Sequence, residues 1–226
     1  MRSVADDVFQ LPLIPRNGIN AYLIDDVLVD TGIKQSAGKI AGMLEGRSIS
    51  AIALTHAHGD HAGGMKRLAA QLGVPVWCGA ADREAAETGK PVLSPGLKRP
   101  GLSVIANGAG GFDGAPIARV LAEGDALSAG FTVLDTPGHS PGHISFWRES
   151  DRTLICGDVF FNMHLLTTVP GLREPPDLLT IDPAQNRDSE RKLAALEPHT
   201  VGFGHGPVLD DDAARKLRVF AAARPR

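Results

Sequence analysis

The sequence predicts an α/β fold with two β-sheets, and three observations predict it. Short apolar runs bounded by Gly, Pro, Asp or Ser recur along the chain, segments with helical apolar spacing are interleaved among them, and a strand-rich stretch followed by helix occurs once in each half. In the first thirty residues, VFQLPLI, INAYLID and VLVD read as an antiparallel meander, separated by Pro15, the Asn17-Gly18 turn signal and the Asp25-Asp26 step. A helix is expected over 34–45. The apolar run ISAIALT (49–55) follows, and then a helix opening near His61 with Met65, Leu68, Ala69 and Leu72 at helical spacing. VPVWC (74–78) reads as a buried strand and ADREAAE (81–87) as a short helix. Between Gly89 and Pro116, glycine and proline are too frequent for a regular element, so a long surface loop is expected. IARVLA, FTVLDT, HISFWR and TLICGD are then expected to build the second sheet. A second irregular stretch, 162–183, precedes a helix at 184–196, the strand TVGFG and a last helix from 210 to 222.

A chain of 226 residues, 43% of them hydrophobic, can bury a sizeable core and suits one domain, 1–226, better than two small ones. A net charge of −3, with basic residues scattered except for a short C-terminal cluster, gives no footprint for nucleic acid. The opening MRSVADDVFQ lacks a basic region followed by an apolar core, and no stretch approaches the roughly eighteen apolar residues of a membrane span. A cytoplasmic protein with a small-molecule substrate, and no nucleic-acid or membrane partner, is expected; its oligomeric state is not legible. Cys78 and Cys156 lie far apart in apolar segments, outside any CxxC pattern, and read as buried free thiols.

The chemistry concentrates in LTHAHGDHAGG, residues 54–64. Three histidines and an aspartate in HAHGDH cannot share one helix face, so they belong on a loop. His56 and His58, two apart in extended backbone past a strand end, can chelate one metal. Asp60 and His61, at the start of the next helix, can reach a second. Imidazole nitrogens and carboxylates are ligands that Zn²⁺ accepts at about 2.0–2.2 Å, and iron or manganese tolerates them as well. Further ligands are available at strand ends or glycine-rich turns: His139 in DTPGHSPGH, Asp158 in LICGDVF and His205 in VGFGHGPV.

With LVDTG (28–32), THAHGDH (55–61), TPGHSPGH (136–143), CGD (156–158) and GHG (204–206) in this order, the chain resembles the metallo-β-lactamase superfamily of hydrolases. The resemblance implies a four-layer αββα sandwich of two mixed β-sheets flanked by helices, with two divalent metal ions at one edge. Zinc is the expected metal, with iron or manganese as the alternatives. It further implies that His56, His58 and His139 hold one ion, that Asp60, His61 and His205 hold the other, and that Asp158 bridges both. Asp30 would support the histidine loop without binding metal. The metal motifs are similar to those of glyoxalase II, but too few residues follow His205 for that enzyme's C-terminal helical domain. β-Lactamases of the common zinc class carry a cysteine where this chain has Asp158, so antibiotic hydrolysis is not expected.

A hydroxide shared by two metal ions is available at neutral pH, because coordination lowers the pKa of water to about 7. Asp60 is placed to orient it and shuttle its proton, making Asp60 the candidate catalytic residue. Hydrolysis of an ester or thioester of a small acyl compound is therefore the expected reaction. A lactonase and an iron-dependent redox enzyme of the persulfide dioxygenase type are the alternatives. Such a reaction needs no serine or cysteine nucleophile. His143, four residues after His139, is expected to support the site from outside the ligand set. Phe160, Phe161, His164 and Arg173 are candidates for substrate contact. Lactonases of the superfamily place a tyrosine after the bridging aspartate; here Phe160 and Phe161 stand there, the single tyrosine is Tyr22, and the nearest titratable donor is His164.

Overall fold

In the computed structural model, which describes residues 1–98 and 111–224, strand alternation sorts the apolar side chains into layers. Along β3 (Asn20–Ile24), Ala21 and Leu23 join one apolar cluster while Tyr22 and Ile24 join another; in β4 (Val27–Val29), Leu28 goes with the first and its two valines with the second. β1 (Arg2–Ala5), β2 (Val8–Pro12), β5 (Ala51–Ala53), β6 (Val76–Gly79) and β7 (Ile117–Leu121) complete a seven-stranded mixed sheet in sequential order. Its first four strands pair antiparallel and its last four parallel, with Val29 opposite Ala53. β8 (Thr132–Asp135), β9 (Ile144–Arg148), β10 (Thr153–Ile155) and β13 (Thr200–Gly202) form the second sheet, ordered β13-β10-β9-β8, with β13 parallel to β10.

Three apolar interfaces hold the layers. α1 (Ser36–Met43), α2 (Met65–Leu72) and α3 (Arg83–Thr88) cover the first sheet through Ile40, Met65, Leu68 and Ala86. Tyr22, Ile24, Val29, Phe131, Phe146 and Ile155 fill the space between the sheets. α4 (Pro183–Ala195) and α5 (Ala213–Ala222) cover the second sheet, where Leu193 and Leu217 meet Trp147, Leu154 and Val201. Each such fully buried aliphatic or aromatic side chain contributes about 1.5–3 kcal/mol. The expected αββα order of layers is the observed one. α4 starts where the sequence says it should: the Asp182 side chain accepts the Gln185 N–H at 3.0 Å, and Pro183 follows.

Several expectations need correction. IARVLA does not enter the second sheet; as β7 it pairs parallel with β6 at the edge of the first. The irregular stretch 162–183 holds most of a hairpin, β11 (Phe161–Met163) with β12 (Pro170–Arg173), whose first strand is only three residues long and whose second carries Pro170 and Gly171, so that neither has a strand signature. β1 lacks a strand signal in the sequence: Arg2 and Ser3 are polar and exposed, and only Val4 and Ala5 are apolar and partly buried. The helix expected from His61 begins at Met65, leaving Asp60 and His61 in the preceding turn, where the Ala62 N–H reaches the His58 carbonyl at 2.7 Å. The loop expected between Gly89 and Pro116 carries no helix or strand over 89–98 and 111–116; its middle, 99–110, lies outside the described residues. No helix among the described residues is long and apolar enough to cross a membrane.

Candidate metal centre

The functional side chains sit just past strand ends. Asp30 follows β4, Thr55 and His56 follow β5, Asp158 follows β10 and His205 follows β13, while His139 lies in the β8–β9 connection. Backbone hydrogen bonds lock these segments together: Ile144 N–H to the Thr55 carbonyl (2.9 Å), Gly204 N–H to Gly157 (2.9 Å) and Thr31 N–H to His61 (2.7 Å). All seven expected ligands converge. The ligand atoms of His56, His58 and His139, those of Asp60, His61 and His205, and those of His56, His61 and Asp158 form three groups, each within 4.8 Å. Asp158 Oδ2 lies 3.2 Å from His205 Nε2, 3.3 Å from His61 Nε2, 3.4 Å from His139 Nε2 and 3.8 Å from His56 Nε2. One carboxylate oxygen thus reaches both histidine groups.

These residues fit metal ions on their own chemistry. His56 Nε2, His61 Nε2 and Asp158 Oδ1 are buried without a hydrogen-bond partner among the described residues. Each unsatisfied buried polar atom costs about 1–3 kcal/mol, so three at one point call for a shared partner. A divalent cation is such a partner, and nitrogen and carboxylate ligands suit zinc or iron.

Hydrogen bonds to the far side of each ring fix which nitrogen carries the proton. Thr55 Oγ1 donates to Asp30 Oδ2 (2.8 Å), so it accepts from His56 Nδ1 (3.0 Å). His61 Nδ1 donates to the same Asp30 oxygen (2.8 Å) and His205 Nδ1 to the Gly18 carbonyl (2.6 Å). Thr180 Oγ1 donates to the Pro176 carbonyl and therefore accepts from His139 Nδ1 (3.4 Å). In all four rings Nε2 faces the centre and is the nitrogen left to bind a cation. His58 is the exception in orientation: its Nδ1 points inward, 3.0 Å from His139 Nε2. His143 binds from outside. Its Nε2 accepts the Asp158 N–H (3.0 Å) and its Nδ1 donates to Thr136 Oγ1 (2.9 Å), while burial pushes its pKa down to about 3, keeping it neutral.

The charges divide the site. Burial pushes His56 and His139 well below the usual imidazole range. It acts the same way on His61 and His205, but Asp158 and the other nearby carboxylates outweigh it, holding His61 well above that range and His205 up to about 10. Burial would raise Asp60 and Asp158; the neighbouring His61 and His205 reverse that and hold both carboxyls low. A cation placed among them competes with the imidazole protons. Close packing leaves no latitude at Gly204, where a Cβ would stand 2.0 Å from Asp158 Oδ1 and 2.5 Å from His61 Cε1.

Sequence reasoning missed Asp82. Its buried carboxylate accepts from Ala57 N–H (2.8 Å), Ser140 Oγ (2.7 Å) and Gly142 N–H (2.7 Å), tying the His56–His61 loop to the His139–His143 loop. It stands in ADREAAE, where nothing local sets it apart from a surface acid.

A cavity of about 590 Å³ opens onto His58, Asp60, His139, Asp158 and His205. Phe161 lines it, its ring centroid 4.5 Å from that of His205. Phe160 does not: successive side chains take opposite faces, and Phe160 is buried in the outer core against Phe220, 5.9 Å away. His164 stands in the β11–β12 turn, its Nδ1 accepting the Leu166 and Thr167 N–H groups (both 3.3 Å), and its neighbour Leu165 reaches the cavity. Arg173 ends β12 exposed and is not part of the cavity wall. Tyr22 is buried between the sheets and donates to the Phe203 carbonyl (3.0 Å), so no tyrosine serves the site.

Residues 14–205 match the family model described as the metallo-beta-lactamase superfamily. The probable metallo-hydrolase YflN of Bacillus subtilis is 32% identical over 199 residues, covering 80% of this chain and 75% of that protein. A hydroxyacylglutathione hydrolase of Methylococcus capsulatus is 30% identical over 69% of this chain, a match spanning 52% of its own length. Among solved structures, TTHA1623 in a di-iron-bound form superposes with a TM-score of 0.71 at 31% identity, covering 96% of this chain and 98% of that one.

Proposed function

The chain belongs to the metallo-beta-lactamase superfamily, and from that premise we propose that it is a dinuclear metal-dependent hydrolase, zinc its working metal, that cleaves an ester or thioester of a small acyl compound. The observation that carries the dinuclear reading is the Asp158 oxygen, 3.2 Å from His205 Nε2 and 3.4 Å from His139 Nε2, in reach of both histidine groups. His56, His58 and His139 would hold one ion, Asp60, His61 and His205 the other, and Asp158 both. Two divalent ions bound there supply a nucleophile at neutral pH by acidifying water, and polarise the acyl carbonyl.

The rest falls to the chain's own residues. Asp60 is the one carboxylate of the set with a substantially exposed side chain, 37%, and it faces the cavity. With the metals bound it would orient the attacking water and take up its proton. Phe161 screens the His205 side of the site from solvent. Neither cysteine offers a competing nucleophile: burial pushes Cys78 up to about 12 and raises Cys156 as well.

Relatives named as hydrolases of hydroxyacylglutathione favour an acyl substrate. A second reading, iron in the same ligands with redox chemistry, is favoured by the di-iron form of TTHA1623. The test is protein loaded separately with zinc and with iron, assayed on a panel of esters, thioesters and lactones. Ester or thioester turnover by the zinc form is expected. High lactone turnover with weak ester turnover would reverse the ranking, and no acyl turnover by either form would refute the hydrolase reading.

A further inference from the structure

The cavity extends beyond the space a reacting carbonyl needs. Away from the metal-ligating face its wall is Val92, Leu93, Leu97, Phe161, Leu165 and Leu179. Of the polar side chains that share it, Ser94 donates to the Leu178 carbonyl at 2.5 Å and Lys34 Nζ lies 2.8 Å from Asp113 Oδ2, leaving Gln35. The Ser94 bond also ties the 91–97 segment to the turn Asp177–Leu179, so two parts of the wall are held together.

Apolar character continues outward. Leu166, Val169, Leu178 and Leu179 are 90%, 55%, 52% and 38% exposed, four of the six exposed large hydrophobic side chains among the described residues. All four lie on the two segments that send Leu165 and Leu179 into the cavity. Scattered surface hydrophobes need no explanation, but a group of them on the two segments that line an apolar cavity marks a binding surface. His164 is not among the residues that line the cavity; by accepting the Leu166 and Thr167 N–H groups it shapes the hairpin tip that presents Leu165 and Leu166.

We propose that this wall and its rim bind an apolar acyl chain several methylenes long, carried by the substrate whose carbonyl is cleaved beside Asp60 and Asp158. The proposal rests on the acyl-hydrolase reading and adds the chemistry of the acyl arm. Each methylene moved from water onto such a surface is worth about fourfold in affinity.

The experiment is calorimetric titration of the purified, metal-loaded protein with straight-chain carboxylic acids from acetate to decanoate, with thioesters of the same acids assayed in parallel. Affinity is expected to rise by about fourfold per methylene until the chain outruns the rim, with kcat/KM following the same slope. In Leu165→Gln and Leu179→Gln the slope falls, most in the double variant. Val219→Gln, exposed on α5 and outside this cavity, keeps the parental slope. Flat affinity from acetate to decanoate overturns the proposal, as does a parental slope in the double variant. Flat acid binding together with partition onto phosphatidylcholine vesicles also overturns it, assigning the rim to a lipid surface. Chain-length-dependent binding without turnover of any acyl compound upholds the subsite while refuting the proposed reaction; turnover indifferent to chain length does the reverse.

Discussion

Asp30 serves two metal-facing rings with one carboxylate, His61 directly and His56 through Thr55, from a backbone position with φ of 62°. Asparagine tolerates that left-handed conformation, so Asp30→Asn removes the charge and leaves the shape. Its metal affinity should fall by about 10- to 100-fold in a chelator competition, with little change in melting temperature; unaltered affinity would show that the Asp30 carboxylate does not tune the histidines. Asp60→Asn should lower turnover by about 10²-fold, and a fully metallated variant that matches the parent would remove Asp60 from the reaction. Four of the seven converging residues were legible because HAHGDH has no structural use as a helix or strand, and His139, Asp158 and His205 because they stand at strand ends or in glycine-rich turns within the superfamily motifs. Asp82 was not, since its partners Ala57, Ser140 and Gly142 are brought to it only by the fold. Phe160 and Phe161 could not be told apart without knowing which face each takes.

Among elements, the two loops that carry His56 to His61 and His139 to His143 are joined by Asp82. Asp82→Ala would strand two backbone N–H groups and a hydroxyl, a loss of about 3 kcal/mol or more. That predicts melting about 6 °C or more below the parent, together with weaker metal retention; retention equal to the parent's would mean the loops hold their geometry without Asp82. On α4, Glu190 is buried, its Oε2 without a partner among the described residues and its Oε1 bonded to Asn186 Nδ2 (3.1 Å). Burial and then Glu174 push it up to about 8, against the pull of Arg224, Arg187 and Arg191. With an unfolded value of 4.5, the native state holds the extra proton, so this stability is full below that pH and is lost as pH rises through about 8. Glu190→Gln should therefore melt higher than the parent at pH 9, by about 3 °C for each kcal/mol recovered, with the gap closing toward pH 4.5. Equal melting at pH 9 would contradict this. Strands that are short apolar runs bounded by turn residues, such as β3, were readable from the sequence. The membership of β7 in the first sheet was not, because parallel pairing to β6 depends on a partner nearly forty residues away.

At the scale of the molecule, the candidate ligands arrive from both sheets: His56 beyond β5 in the first, Asp158 and His205 beyond β10 and β13 in the second. A metal ion that binds this arrangement and not the unfolded chain stabilises the packing of one sheet on the other. Chelation should accordingly lower the melting temperature of the loaded protein, and an identical transition before and after would detach the metals from the fold. The layer order was legible from the succession of strands and helices and from the motifs that mark the superfamily. The central claim is that the cluster around Asp158 holds two ions, and elemental analysis of the purified, metal-supplemented protein tests it most directly. Two equivalents per chain are predicted, falling to one in His58→Ala and in His205→Ala; a single tightly held equivalent in a fully active parent would contradict it.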